Sequence, residues 1–196
     1  MANEYSYGTL KQNLIDGMSK KEFILSKFLT ILLFAFASTV FVFLMSLLLG
    51  YSFSSYTEIG IVFSDLEYLV AFFVKLIGFF SFCLFLGILV KRSAFALGFL
   101  LVWSIAEGIV KGILVFKIFP DNKIAETITQ FFPLESMSNL IVMPFRRLSV
   151  VKNIGKQVGV DSTIDYSVHF STIVIVLVWA SLFMLFSYKL LKKRDL

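Results

Sequence analysis

The sequence predicts an all-α, polytopic membrane helix bundle. It has four transmembrane helices, a cytoplasmic amphipathic connecting helix before them, and short extracytoplasmic helices in one long loop. Three observations carry this. Hydrophobic residues make up 58% and charged residues 16% of the 196 positions, with a mean hydropathy of +0.88. A soluble domain holds roughly 45–50% apolar and 25% charged residues, and a chain of this length exposes too much surface to hide the excess in one core. Apolar windows of spanning length recur along the chain, and basic residues gather between them with a regular sidedness. Soluble, disordered and fibrous classes are excluded together, and the chain reads as a single transmembrane domain over 1–196.

Residues 1–23 form the connecting element. Leu10, Leu14 and Met18 recur every four residues with Ile15 beside them, an apolar helical stripe. Thr9-Leu-Lys-Gln12 and Ser19-Lys-Lys-Glu22 both match the capping box, in which a hydroxyl and a residue three positions on satisfy orphan amides. The pattern predicts one short helix over about 5–16, a turn at Gly17, and a long helix from about Lys20 into the first span. On composition alone the short helix reads equally well as an interfacial anchor held by lipid. The first apolar run is far longer than a signal-peptide core, so no leader is expected here.

A hydrocarbon core about 30 Å thick needs roughly 20 apolar residues in helix. No charged residue occurs over 28–57, which places the first span at about 24–50. The second runs over about 68–90, broken only by Lys75, and the third over about 94–116 with Glu107 and Lys111 inside it. The fourth, about 169–190, follows from the window 166–188, which lacks Asp, Glu, Lys and Arg.

Lys11, Lys20, Lys21 and Lys27 precede the first span, Lys91 and Arg92 fill the turn between the second and third, and Lys189, Lys192, Lys193 and Arg194 follow the fourth. These clusters share one side if both termini are cytoplasmic, as the positive-inside rule requires. The expected location is the cell membrane. The 117–168 loop then lies outside, although it holds six basic and five acidic residues. Long loops translocate largely regardless of charge. Its stretch Ile124–Phe145 is interrupted by Pro133, Glu135 and Pro144, which predicts short helices at the outer interface or dipping partway in. Residues 146–168 read as a turn-rich excursion around Gly155 and Gly159.

The chemistry is sparse. Cys83 stands alone in an apolar run, which leaves no disulfide framework or zinc site. His169, the one histidine, falls at the mouth of the last span and reads as an interfacial residue. A membrane hydrolase needs a metal pair, an aspartate pair or a nucleophile with its base, and the spans hold none of these motifs. Gly155-Lys156 is followed by Gln157, so it is no phosphate-binding loop. The chain is therefore expected to be no enzyme, with no cofactor and no nucleic-acid partner. Ionisable residues inside spans are functional hypotheses by default. Lys75 and Lys111 stand near enough to a span end to snorkel outward. Glu107 precedes Lys111 by four residues, the order that favours an internal ion pair, to which Lys75 could add. The alternative is that these groups line a translocation path. Gly108 and Gly112 make a GxxxG pattern that lets a partner helix approach.

The segment from Glu4 to Lys27 resembles the cytoplasmic connecting element of ABC-2 type transporter permeases. Glu4, Gly8, Thr9, Leu14, Ser19, Phe23 and Lys27 match that family's pattern, whereas Met18 replaces a usual Pro and Lys20 a usual Arg. The ending Phe186-Ser-Tyr-Lys-Leu-Leu-Lys-Lys-Arg194-Asp195-Leu196 is similar to the family's close. The resemblance implies a permease subunit that pairs as a homodimer or heterodimer and exports cargo, driven by a separate ABC ATP-binding subunit. It implies contact with that subunit through Glu4, Gly8, Thr9, Leu10, Leu14, Met18, Ser19, Lys20 and Phe23. Members of that family typically carry two further spans before this element. The resemblance thus implies that a longer reading frame or another polypeptide supplies them. The competing expectation is a non-transporting scaffold or immunity-type protein whose residues 1–16 lie on the membrane.

Overall fold

The computed structural model describes residues 1–53, 60, 63, 65–119, 122–141 and 167–194, and the turn-rich reading of 146–168 lies outside the described residues. Eight α-helices are described: α1 (Ala2–Ser6), α2 (Thr9–Ile15), α3 (Lys20–Phe53), α4 (Glu67–Val90), α5 (Ser93–Ile113), α6 (Asn122–Thr129), α7 (Pro133–Asn139) and α8 (Phe170–Lys193). A π-helical turn, Leu114–Ile118, extends α5. The described residues contain no strand. Helices α3, α4, α5 with its π turn, and α8 are each long and apolar enough to cross a membrane, so the protein is an all-α membrane helix bundle.

Helix α4 is the centre. It buries Ala71, Val74, Ile77, Phe82, Leu86 and Ile88. Contacts along its length pair it with α8 in parallel: Gly78 faces Val176, Phe82 and Phe85 meet Phe183, and Ile88 clusters with Leu191. Small residues permit the approach. A Cβ placed on Gly78 would stand 2.7 Å from Val176 Cγ1 and 3.2 Å from Met137 Cε. In lipid, where no hydrophobic force drives helices together, such close backbone packing is what holds them. Aromatic rings lock the same seam, with Phe82 and Phe183 centroids 4.8 Å apart and Trp179 stacked on Phe183 at 5.4 Å. Pairs of this kind contribute about 0.5–1.5 kcal/mol each beyond their buried area.

Helices α3 and α5 run antiparallel to this pair on its flanks. Ala35 of α3 packs with Ile77 and Ala180 at mid-bundle. Trp103 of α5 meets Phe82 edge-on at 5.7 Å. The outer faces of α3 and α5 carry exposed apolar side chains such as Leu33, Phe41, Leu101 and Ile105, as lipid-facing helices do. Gly108 and Gly112 look onto open space, so among the described residues no helix packs on the GxxxG pattern.

The α4–α5 turn closes on Lys91 in the left-handed region at φ 62°, an uncommon conformation for a side-chain-bearing residue. That turn, the start of α3 and the end of α8 meet at one end of the bundle. Leu10, Phe23, Ile24, Leu84, Ile88 and Leu191 form its core. All three basic clusters sit at this end, here called the basic end.

The connecting element departs from one continuous helix. It folds as two helices, α1 and α2, because Gly8 between them adopts φ +71°, a conformation open to glycine at little cost. Gly8 rather than Thr9 is the N-cap of α2, and its helix start has no side-chain cap. Thr9 Oγ1 instead donates to the Glu4 carbonyl at 3.5 Å, and Gln12 reaches forward to Asp16, so the expected Thr9–Gln12 box does not form. The second box does. Ser19 N–H and Oγ–H donate to Glu22 Oε2 at 2.8 and 2.7 Å, and Glu22 N–H returns a bond to Ser19 Oγ at 3.2 Å. The turn between α2 and α3 uses Gly17 at φ +101°.

Candidate functional site

Two constellations gather the polar chemistry of the bundle. The first is at the basic end, where α1 and α2 are bound against the spans. Glu4 forms an ion pair with Lys27 on the second turn of α3, and Lys27 also lies over the Phe23 ring at 5.2 Å. Tyr5 sits beneath Lys91 of the α4–α5 turn, 5.9 Å from ammonium to ring centroid. Burial raises the Tyr5 phenol above its ordinary pKa, and the neighbouring Arg194 guanidinium pulls the other way without a hydrogen bond of standard geometry to the hydroxyl. Leu10 and Phe23, each 1% exposed, fill the core beneath the helix pair, and Leu14 packs against its edge.

Arg194 completes this end. Its guanidinium donates to the Ile88 carbonyl and, at 2.9 Å, to the Leu89 carbonyl, two of the orphan acceptors at the end of α4. A cation at a helix C-terminus also complements the helix dipole. Lys20 then donates to the Arg194 carbonyl at 2.8 Å and the Lys192 carbonyl at 3.5 Å. The last residues of α8 are thereby tied to both α4 and α3.

The expected contact residues divide accordingly. Glu4, Leu10, Lys20 and Phe23 are occupied inside the bundle, and Leu14 is half-buried. Gly8, Thr9, Met18 and Ser19 face outward, joined by Tyr7 at 80% and Ile15 at 70% exposure. Tyr7 carries no periodic signal of its own and is set outward by the break at Gly8. If the Glu4–Lys27 pair holds α1 in place, charge reversal at Glu4→Lys is expected to raise protease cleavage within residues 1–19. The double variant with Lys27→Glu is expected to restore protection, which limited proteolysis in detergent measures.

The second constellation lies at mid-bundle. Glu107 and Lys111 do not pair with each other as the spacing predicts; both turn to α7. Glu107 accepts the Trp103 indole N–H at 2.6 Å, the Leu134 N–H at 3.1 Å and the Glu135 N–H at 3.2 Å. Helix α7 opens with Pro133 at its first position, and its N-cap, Phe132, has no side-chain cap bond. A carboxylate from another helix thus caps it, satisfying two N–H groups that have no intrahelical partner. Lys111 forms its ion pair with Glu135 one turn further along. Trp179 of α8 donates its indole N–H to the Phe131 carbonyl at 2.8 Å, and Met137 is buried against Gly78. Lys75 joins neither of the described ion pairs, Glu4–Lys27 and Lys111–Glu135.

Helix α7 therefore sits well inside the bundle. Glu107 lies 11 residues before the end of the π turn and Gly78 lies 11 residues into α4, which at 1.5 Å per residue is a depth of about 16 Å. Irregular backbone is tolerated at that depth only where protein satisfies it, and Glu107 and Trp179 do so. Sequence reading named Glu107 but missed Trp103, Trp179 and Glu135. A proline-started helix without a capping side chain, and a lone carboxylate deep in a span, are the two signals that could have joined them. His169 is the N-cap of α8, with Nδ1 3.1 Å from the Ser167 carbonyl. Among the described residues no group of His, Cys, Asp and Glu could hold a metal ion.

These features define a helical membrane protein with a docked amphipathic helix pair at one end and a short helix packed within its bundle. A family model described as a protein of unknown function, DUF2705, matches residues 1–196, and the chain belongs to that family. Comparison with curated proteins and with solved structures returned no match.

Proposed function

We propose that this chain is the permease subunit of an ABC-2 type transporter, acting in a dimer as an exporter driven by a separate ATP-binding subunit. The observation that carries the reading is the helix pair α1–α2. It is bound to the spans by Glu4–Lys27, Leu10 and Phe23, yet presents Tyr7, Gly8, Thr9, Ile15 and Met18 outward. A rigid element held at the base of α3, and touching the α4–α5 turn through Tyr5, would pass a push from a partner directly into the helices. In this reading the basic end is cytoplasmic, the bundle spans the cell membrane, and ATP is bound and hydrolysed elsewhere. Buried Leu10 and Phe23 act as anchors beneath the contact rather than as the contact.

A second reading is favoured by the same outward face. Exposed Tyr7, Ile15 and Met18 also suit a lipid surface, which would make the chain a non-transporting scaffold or immunity-type membrane protein. The test is crosslinking of the tagged chain in its native membrane, followed by mass spectrometry. Recovery of an ATP-binding chain, lost in Ile15→Glu/Met18→Glu while the four-span protein remains folded, is the expected result. Full recovery of the membrane protein with no ATP-binding chain crosslinked would overturn the permease reading in favour of the scaffold.

A further inference from the structure

Between their contact at mid-bundle and the tie of Lys20 to the end of α8, helices α3 and α8 leave a groove of about 850 Å³ open to the side. Its walls are apolar, with Ile24 and Phe28 from α3 and Leu177, Met184 and Leu185 from α8. Ionisable groups stand at one end only. Lys21 and Tyr188 line the groove at the basic end, and Lys192 stands one turn beyond Tyr188 on α8. Ser181, halfway along, spends its hydroxyl on the Leu177 carbonyl at 2.9 Å and presents no free donor to an occupant.

We propose that this groove binds a membrane lipid with an anionic, phosphate-bearing headgroup, its acyl chain between α3 and α8 and its phosphate at Lys21. Length argues for a lipid over a protein helix. The lining runs from Lys21 to Leu32 on α3 and from Tyr188 back to Leu177 on α8, 11 residue steps on each, or about 16 Å at 1.5 Å per step. That is close to one leaflet, about half of a 30 Å hydrocarbon core, whereas a spanning helix needs the whole. Charge argues for an anionic headgroup. The basic end carries Lys21, Lys189, Lys192 and Lys193 with exposed side chains, and Lys21 is the one that borders the groove. The size falls within the range of roughly 300–1,000 Å³ common to small-molecule sites. The inference stands whether or not an ATP-binding chain docks at α1–α2.

The experiment is native mass spectrometry of the purified full chain after equilibration in mixed vesicles of phosphatidylglycerol and phosphatidylcholine. The chain is expected to retain phosphatidylglycerol at least fivefold over its share of the mixture. Lys21→Glu is expected to bring that ratio to parity, because the headgroup contact is lost while the groove persists. Ser181→Phe fills the groove from an exposed position and is expected to abolish retention of both lipids, with Leu185→Trp as a second filling variant should the first fold poorly. Equal retention of the two lipids by the unaltered chain would overturn the proposal, as would undiminished retention in both filling variants. So would recovery of a second copy of the chain in place of lipid, released by Ser181→Phe.

Discussion

Glu107→Ala is expected to destabilise the bundle by about 2–4 kcal/mol, the range for removing charge-assisted hydrogen bonds and leaving their buried donors without a partner. The variant strips the acceptor from the Leu134 and Glu135 amides and from the Trp103 indole together. An unsatisfied backbone group in a hydrocarbon environment is costly. Glu107→Gln keeps one acceptor oxygen and is expected to fall between the two. Thermal loss of helical circular dichroism in detergent measures the order. Protease accessibility of residues 119–141 locates the effect, since α7 should detach before the four long helices unfold. An alanine variant as stable as the parent, with that segment still protected, would mean that α7 is held by Met137, Trp179 and Lys111 without the cap.

The second large effect is expected at Gly78. Gly78→Ala places a methyl carbon 2.7 Å from Val176 and 3.2 Å from Met137, at the point where α4, α8 and α7 meet. Overpacking of a tight core typically costs about 1–3 kcal/mol. Val176→Ala alone opens a cavity and is also expected to destabilise, yet the Gly78→Ala/Val176→Ala double variant should be more stable than the sum of the two losses predicts. Non-additivity of that sign is the signature of residues in contact. A strictly additive pair would place the strain of Gly78→Ala on Met137 instead, and Met137 has the flexibility to yield.

Both effects arise from positions whose importance the sequence carried only in part. Glu107 is conspicuous as a carboxylate within a span, and its spacing to Lys111 gave a local partner that satisfies the helix rule. The actual partners are 27 and 28 residues away, on α7. Local spacing could propose the pair but had no means of weighing it against uncapped amides brought in by the fold. Gly78 looks like any glycine in a membrane helix; only the neighbouring helices make it a point of closest approach. Of the nine residues expected to meet a partner, Leu10 and Phe23 follow the same logic. An apolar stripe reads alike whether it faces a partner, lipid or the chain's own bundle, and here those two side chains face the bundle.

What the sequence determined by itself is what depends on neighbours along the chain. Four apolar windows of spanning length, the helical class, the Ser19–Glu22 capping box and the turn at Gly17 are all set within a few residues, where backbone geometry and hydropathy add up locally. The tertiary structure alone decided the break of the connecting element at Gly8, because both a continuous and a broken helix suit its apolar spacing. It alone decided the tie of Arg194 to the end of α4, the capping of α7 by Glu107 and the groove between α3 and α8. Each of these joins groups far apart in the chain. Their partners are chosen by which helices lie side by side, and by the cost of leaving a donor or acceptor unpaired between them.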